Sequence, residues 1–209
     1  MQSIIDSLNW RYAVKKYDDT RQITQDQLRT LREAVRLTPT SAGLQPFRLI
    51  VVQDPAMKEK LAEASLFNKP QVRDAGHLFV FAAQKTIREE HVAEYIDLIA
   101  ATRSVARDSL AGFEQSMKGY LLSQTPEETF VSTSKQSYIG LGVLLSAAAT
   151  MRVDATPMEG FDRDAYDQLL GLENHSVAVI CTVGHRSESD AFQHLKKVRR
   201  PEEEFFSIH

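Results

Sequence analysis

One uncharged stretch near the middle of the chain constrains the fold more than any other feature. No residue between Gln136 and Met151 carries a charge. Within it, apolar side chains cover nearly every side of a helix: Ile139, Leu141, Val143, Leu144, Leu145 and Ala147 to Ala149. A helix that is apolar all round must be buried all round, and this run is too short to cross a bilayer. We therefore expect a central helix inside one domain, or a helix that two subunits bury between them.

The segments around this helix predict further helices with strands between them. Thr125, Pro126 and Glu128 mark the start of the central helix, and Thr24 with Gln27 marks another. Further helices are predicted over Ser3–Trp10, from Asp54 to about Ala64, and from Asp162 to about Leu170. Short runs rich in β-branched residues predict buried strands over Phe47–Val52, Leu78–Ala83, Val153–Pro157 and Ser176–Val183. The predicted class is α+β, with helix dominant.

The segment between Ile87 and Leu122 is mostly helical in pattern and more polar. Gly112 is our candidate for a break within it.

Length and the C-terminal region indicate a single domain that associates. The 209 residues fit one domain over 1–209, with 185–209 as a C-terminal extension. That extension is polar but carries spaced apolar residues, which usually need another surface: Phe192, Leu195, Val198, Phe205 and Phe206. We expect a homodimer, because closed homo-oligomers are common. The alternative is a monomer with a loose tail.

Charge and composition exclude several classes of function. The net charge of −3 and pI near 6.1 do not indicate a nucleic-acid partner. The stretch Met1 to Lys16 does not resemble a signal peptide, and we expect no membrane association. A single cysteine, Cys181, fits a reducing cytoplasm, and the scattered histidines predict no metal site. Gly140-Leu141-Gly142 lacks the third glycine of a dinucleotide fingerprint.

Four short segments combine residue types that suit a flat, phosphorylated ligand. They are Arg11–Lys15, Pro39–Phe47, Thr156–Phe161 and Lys196–Pro201. The first supplies cations, and the second supplies small residues with hydroxyls. The third supplies a glycine turn after a strand, and the fourth supplies a basic cluster. Taken singly, each has an ordinary alternative: a solvated helix end, a loop, a tight turn or a charged tail.

In this order and spacing, the four segments resemble the nitroreductase family of flavoenzymes, over nearly the whole chain from Arg11 to Arg199. The resemblance implies a mixed sheet flanked by helices, and a homodimer with two FMN molecules in its interface. It assigns the phosphate to Arg11, Lys197 and Arg199. It also places Lys15 near the pyrimidine end of the flavin ring.

Further cofactor-binding residues follow from the same resemblance. Asn68 and Gln71 match contacts to the flavin ring, and Glu159 and Gly160 match the pair whose N–H groups face flavin N5. Pro39, Thr40 and Ser41 match a strip donated by the partner subunit. Tyr12 and Ala13 belong to the first segment, and Ala13 replaces a serine that is frequent in the family. No catalytic acid or base is assigned.

The function implied is transfer of electrons from NAD(P)H, through FMN, to a small electrophilic acceptor such as a nitroaromatic or a quinone, by a ping-pong mechanism. The alternatives are a flavin-binding storage or sensory protein, and an interaction protein that uses its basic tail.

Overall fold

The computed structural model describes residues 3–209, so the parts of the domain and N-terminal predictions that concern Met1 and Gln2 lie outside it. The helices are α1 Ile4–Trp10, α2 Gln25–Arg36, α3 Pro55–Glu63, α4 Lys69–Asp74, α5 Glu89–Arg103, α6 Ala111–Leu121, α7 Pro126–Thr150, α8 Arg163–Leu169 and α9 Glu202–Phe205. The strands are β1 Phe47–Val52, β2 His77–Gln84, β3 Asp154–Met158 and β4 His175–Gly184.

The four strands form one sheet in the order β1-β2-β4-β3. Each of these pairings is antiparallel, and β2 slips by one residue against β4 between Phe81 and Ala82. The predicted α+β class is confirmed. Within residues 3–209 the sheet is antiparallel, whereas the resemblance implies a mixed sheet.

Local signals placed the helix starts correctly. The Thr24 hydroxyl accepts the Gln27 N–H, and the Gln27 side chain accepts the Thr24 N–H in return. Thr125 and Glu128 form the same reciprocal pair at the start of α7. Each box satisfies two backbone donors that a helix end would otherwise leave free.

Helices cover both faces of the sheet because side chains alternate along each strand. On one face, Phe79 and Phe81 of β2 pack into a core with α2 and α7. On the other, Leu78 and Val80 pack with α3, α4 and α8. The site residues therefore rest on a sheet that is buried from both sides.

The central helix α7 is only partly buried within the protomer, so burial inside one domain, the first of the two alternatives, is incomplete. Ile139 is 44% exposed, and an open groove of about 580 Å³ runs along this side of the helix beside Ile4 of α1. Among residues 3–209, no helix has the length and hydropathy to span a membrane.

The predicted break at Gly112 is wrong, because Gly112 lies inside α6. The chain breaks instead at Ser104, which adopts a left-handed conformation (φ 53°) and ends α5. The signal was hard to see because a serine occupies a position where glycine is usual.

Candidate functional site

The first segment, Arg11–Lys15, leaves α1 in extended conformation at Arg11, bends at Lys15, and lies beside the edge strand β3. A terminal nitrogen of Arg11 donates to the Ala155 carbonyl (3.4 Å), and the Val14 N–H donates to the Thr156 hydroxyl (2.9 Å). Val14 is fully buried, whereas the neighbouring Ala13 and Lys15 are exposed. Because side chains alternate along an extended chain, Ala13 and Lys15 face outward, and the solvated helix end considered above is not what forms.

Asp190 anchors the start of the C-terminal extension to this segment. Its carboxylate accepts the N–H groups of Lys15 (2.7 Å) and Lys16 (3.1 Å). Burial alone would raise the Asp190 pKa, but these donors and the Phe192 N–H hold the pKa below its ordinary value. The bond brings the Phe192 ring to within 5.9 Å of the Lys15 ammonium. Sequence reasoning missed Asp190, although it is a helix-capping residue type directly before a short helical turn.

A second anchor holds the extension to β3. The Arg186 guanidinium forms a nearly buried ion pair with Asp154 (2.5 Å). It also stacks 4.1 Å from the Trp10 ring and 4.4 Å from the Tyr12 ring. Tyr12, a predicted FMN-binding residue, is therefore part of this packing. Its buried hydroxyl has no hydrogen-bond partner of good geometry within the described chain.

These anchors bring Arg11, Lys197 and Arg199 to one place. We name them the phosphate cluster, after the role that the resemblance assigns to them. The Lys197 ammonium donates to the Arg11 carbonyl, although 186 positions separate the two residues. Burial lowers the Arg11 pKa, and Arg199 lowers it further; burial, Arg11 and Arg199 likewise lower the Lys197 pKa. Such mutual repulsion favours an anion between the three side chains.

The phosphate cluster has no ion-pair partner in the described part of the chain, although Asp154 attracts Arg11 from a greater distance. Across residues 3–209, no carboxylate lies within ion-pair distance of any of the three side chains. The Arg11 Nε is also buried without a hydrogen-bond partner in that range. A buried donor of this kind is costly unless a ligand satisfies it.

The turn after β3 brings together Asn68, Glu159 and Gly160. The Asn68 amide donates to the Gly160 carbonyl (3.0 Å). A methyl group on Gly160 would lie 2.7 Å from that amide nitrogen and 3.1 Å from the Phe67 ring, so a side chain at position 160 would displace Asn68 or Phe67. Within residues 3–209, the Glu159 and Gly160 N–H groups have no protein acceptor, which leaves two adjacent donors free.

Two side chains at this turn were not predicted from the sequence. The Tyr138 hydroxyl, on α7, donates to the Glu159 carboxylate (2.5 Å). Phe67 stands beside Gly160 and is 82% exposed, so a large apolar ring faces outward next to the free donors. Gln71, a predicted ring contact, is buried within α4.

The strip Pro39–Ser41 is not brought to these groups within one protomer. It precedes β1, whereas Glu159 and Gly160 follow β3, and these strands form opposite edges of the sheet, roughly 14 Å apart at the usual strand spacing. The Ser41 N–H donates to Gln136 of α7 (2.8 Å), and the Thr40 hydroxyl accepts the Gln45 N–H (2.9 Å). The strip is thus held by hydrogen bonds at the opposite edge of the sheet from the turn after β3.

Comparison with known proteins identifies the family. A family model described as the nitroreductase family matches residues 8–185. YfkO of Bacillus subtilis, provisionally named an NAD(P)H nitroreductase, is 32% identical over 195 residues, covering 88% of each chain.

Solved structures agree on the fold. A provisional NAD(P)H:FMN oxidoreductase of Staphylococcus epidermidis has a TM-score of 0.88 at 19% identity, over 100% of this chain and 97% of that one. A provisional nitroreductase of Exiguobacterium sibiricum, solved in complex with FMN, has a TM-score of 0.83 at 16% identity, over 100% and 98%. The predicted resemblance and the predicted oxidoreductase class are confirmed, and the chain belongs to the nitroreductase family.

Proposed function

We propose that this chain is an FMN-dependent NAD(P)H oxidoreductase that reduces small electrophilic acceptors, such as nitroaromatics or quinones, as a homodimer. The observation that carries the proposal is the phosphate cluster. Three cations from distant parts of the sequence converge there, without a carboxylate partner among residues 3–209.

The residues present fit FMN. Its phosphate carries about two negative charges, which suits the forked donors of Arg11 and Arg199 and the point charge of Lys197. The free N–H groups of Glu159 and Gly160 suit the edge of a flavin ring, with Asn68 as a further ring contact. Gln71 is buried within α4, and its assignment as a ring contact rests on the resemblance alone. The exposed Lys15 supplies a positive charge for the pyrimidine end of the ring. Tyr12 and Ala13 belong to the same segment, Arg11–Lys15.

The role of the chain is binding and orientation. When bound, FMN supplies the redox chemistry by accepting hydride from NAD(P)H at N5 and delivering it to the acceptor. The protein holds the phosphate, directs N–H donors to the ring and presents one open side, beside Phe67, to both substrates. Because donor and acceptor would use the same side in turn, we propose a ping-pong mechanism. No side-chain acid or base is required for it.

Three features support the homodimer. One side of α7 is apolar and open. A groove of about 1020 Å³ between α2 and β1 is also open, and both charged and apolar side chains line it. Five apolar residues of the extension 185–209 are more than 60% exposed: Leu195, Val198, Phe205, Phe206 and Ile208. The strip Pro39–Ser41 precedes the opposite edge strand from the Glu159–Gly160 turn of its own protomer, which suits a strip donated to a partner. The single domain with a C-terminal extension is part of this proposal.

Anaerobic mixing tests the proposed activity. Protein loaded with FMN should lose its flavin absorbance on addition of NADH or NADPH, and recover it on addition of a quinone or nitroaromatic. Initial rates at several fixed acceptor concentrations should give parallel double-reciprocal lines. A protein that binds FMN but is not bleached by either nucleotide is the storage or sensory alternative, and our proposal would then be wrong.

A further inference from the structure

Helix α7 holds two parts of the proposed flavin sites through Gln136 and Tyr138, which are separated by a single residue. Gln136 accepts the Ser41 N–H (2.8 Å), and Tyr138 donates to the Glu159 carboxylate (2.5 Å). One bond fixes the strip before β1 and the other fixes the turn after β3. Neither residue matches a motif considered in the sequence analysis.

The Tyr138 hydrogen bond holds the turn after β3 from the side of α7. Asn68 holds the Gly160 carbonyl, and the Asp162 N–H bonds to the Ala64 carbonyl (2.8 Å). Both of those contacts come from the side of α3 and α4. Tyr138 reaches the turn from α7 and is the hydrogen-bond donor to the Glu159 side chain within the described range. Burial, then Glu159, raises the Tyr138 pKa, so its hydroxyl remains a donor at neutral and alkaline pH.

The Gln136 bond has the corresponding effect on the strip. Ala42 and Gly43 both have positive φ (53° and 76°), so the backbone beyond Ser41 turns sharply. Gln136 fixes the start of this turn, and the Tyr95 hydroxyl holds the Ala42 carbonyl (2.8 Å) at its centre. Loss of the Gln136 acceptor leaves the Ser41 N–H free and the strip less ordered.

We propose that Tyr138 and Gln136 are positioning residues for two different flavin sites of one dimer. Tyr138 orients the Glu159 and Gly160 donors of its own subunit's site. Gln136 orients the strip that the subunit donates to the partner subunit's site. The inference depends on the proposed function, because it requires FMN and an exchanged strip.

Homodimers of single variants give the first test. Tyr138→Phe keeps the ring but removes the donor, and Gln136→Met keeps the length but removes the acceptor. We expect each to weaken FMN binding roughly three- to tenfold, the range of one net hydrogen bond. Quenching of flavin fluorescence measures the dissociation constant. The control is Tyr120→Phe, whose hydroxyl has no hydrogen bond to another of residues 3–209, and it should bind FMN as the unmodified protein does.

Glu159→Leu separates positioning from general stability. It should weaken FMN binding as Tyr138→Phe does. The double variant with Tyr138→Phe and Glu159→Leu should bind FMN no more weakly than either single variant, because both substitutions remove the same hydrogen bond. Circular dichroism melting of the FMN-free proteins reports on folding independently. Additive losses from the two changes would contradict a shared bond.

Mixed dimers give the decisive test. Two purification tags isolate a dimer with Tyr138→Phe in one subunit and Gln136→Met in the other. In our account, one site then contains both defects and the other contains none. Half of the FMN sites should therefore bind with the affinity of the unmodified protein, and the titration should have two phases.

Other results of the mixed-dimer titration would overturn the inference. Two equal sites with single-variant affinity would show that both residues serve the site of their own subunit. Unchanged affinity in both single-variant homodimers would show that neither residue positions the flavin. Failure of the unmodified protein to bind FMN would instead overturn the proposed function.

Discussion

Two clusters of basic residues in this molecule have opposite electrostatics. In the first, beside α6, Arg107 pairs with Asp97 (2.7 Å) and Glu114 (2.9 Å), and Lys118 pairs with Glu114 (3.1 Å). The Glu114 hydrogen bonds raise the pKa of Arg107 and of Lys118. In the phosphate cluster, burial and like charges lower the pKa of Arg11 and of Lys197.

The difference indicates what each cluster is for. Paired charges satisfy each other and contribute modestly to stability at an exposed surface. Unpaired cations that approach one another cost free energy in the empty protein, and a bound anion removes that cost. The phosphate cluster therefore has the properties of a binding site, and the α6 cluster those of a surface ion-pair network.

Removal of Arg11 should have the largest effect on ligand binding. Arg11→Met deletes a charged fork whose Nε is buried without a partner within residues 3–209. Loss of charge-assisted hydrogen bonds should weaken FMN binding on the order of a hundredfold. Isothermal titration calorimetry measures this directly. An affinity within about threefold of the unmodified protein would place the phosphate elsewhere.

Removal of Lys197 should have a smaller effect, because its ammonium contributes a point charge instead of a fork. We expect Lys197→Met to weaken FMN binding about tenfold and to reduce its dependence on salt concentration. Titrations at low and high salt give both quantities. Lys196→Met, at an exposed neighbouring position with no resolved contact, is the matched control and should change neither.

The same lysine should make FMN binding depend on pH. Its pKa in the empty protein lies below the ordinary 10.5, and an anion favours its charged form. FMN affinity should therefore fall as pH rises through this lowered pKa, and the decrease should be smaller in Lys197→Met. An identical alkaline profile in both proteins would remove Lys197 from the site.

The smallest effect on binding is expected in the α6 cluster. Arg107→Met should leave FMN affinity unchanged and lower Tm slightly, because it breaks the pairs with Asp97 and Glu114. Arg107 holds the Glu114 pKa below its ordinary value. The stability contributed by the pair is therefore present above the ordinary glutamate pKa, and is lost as pH falls through the lowered value. Thermal melts of both proteins across this pH range check the expectation.

The helices and strands followed closely from local signals. Capping pairs such as Thr125 with Glu128 act over one helical turn, so the sequence contains them completely. The exposed side of α7 could not be placed, because burial between subunits and burial within one domain give the same apolar pattern. The break at Ser104 was missed because a non-glycine residue with positive φ has no strong local signature.

The residue types of the candidate site could be predicted from the sequence, but the contacts that position those residues could not. Family resemblance supplied Arg11, Lys197 and Arg199, and the structure brings them together. The bonds that do so involve Asp190 and Arg186, which lie far along the chain from their partners, and no spacing rule reveals such contacts. Tyr138 was missed for the same reason, since 21 positions separate it from Glu159.

The most direct test of the central claim compares FMN with riboflavin, which has the same ring and lacks the phosphate. We predict that FMN remains bound at about one per protomer after desalting, whereas riboflavin is lost, because the phosphate cluster supplies charge-assisted hydrogen bonds to FMN alone. Equal retention of the two flavins would contradict the assignment of the phosphate cluster. Retention of neither would contradict the proposed function itself.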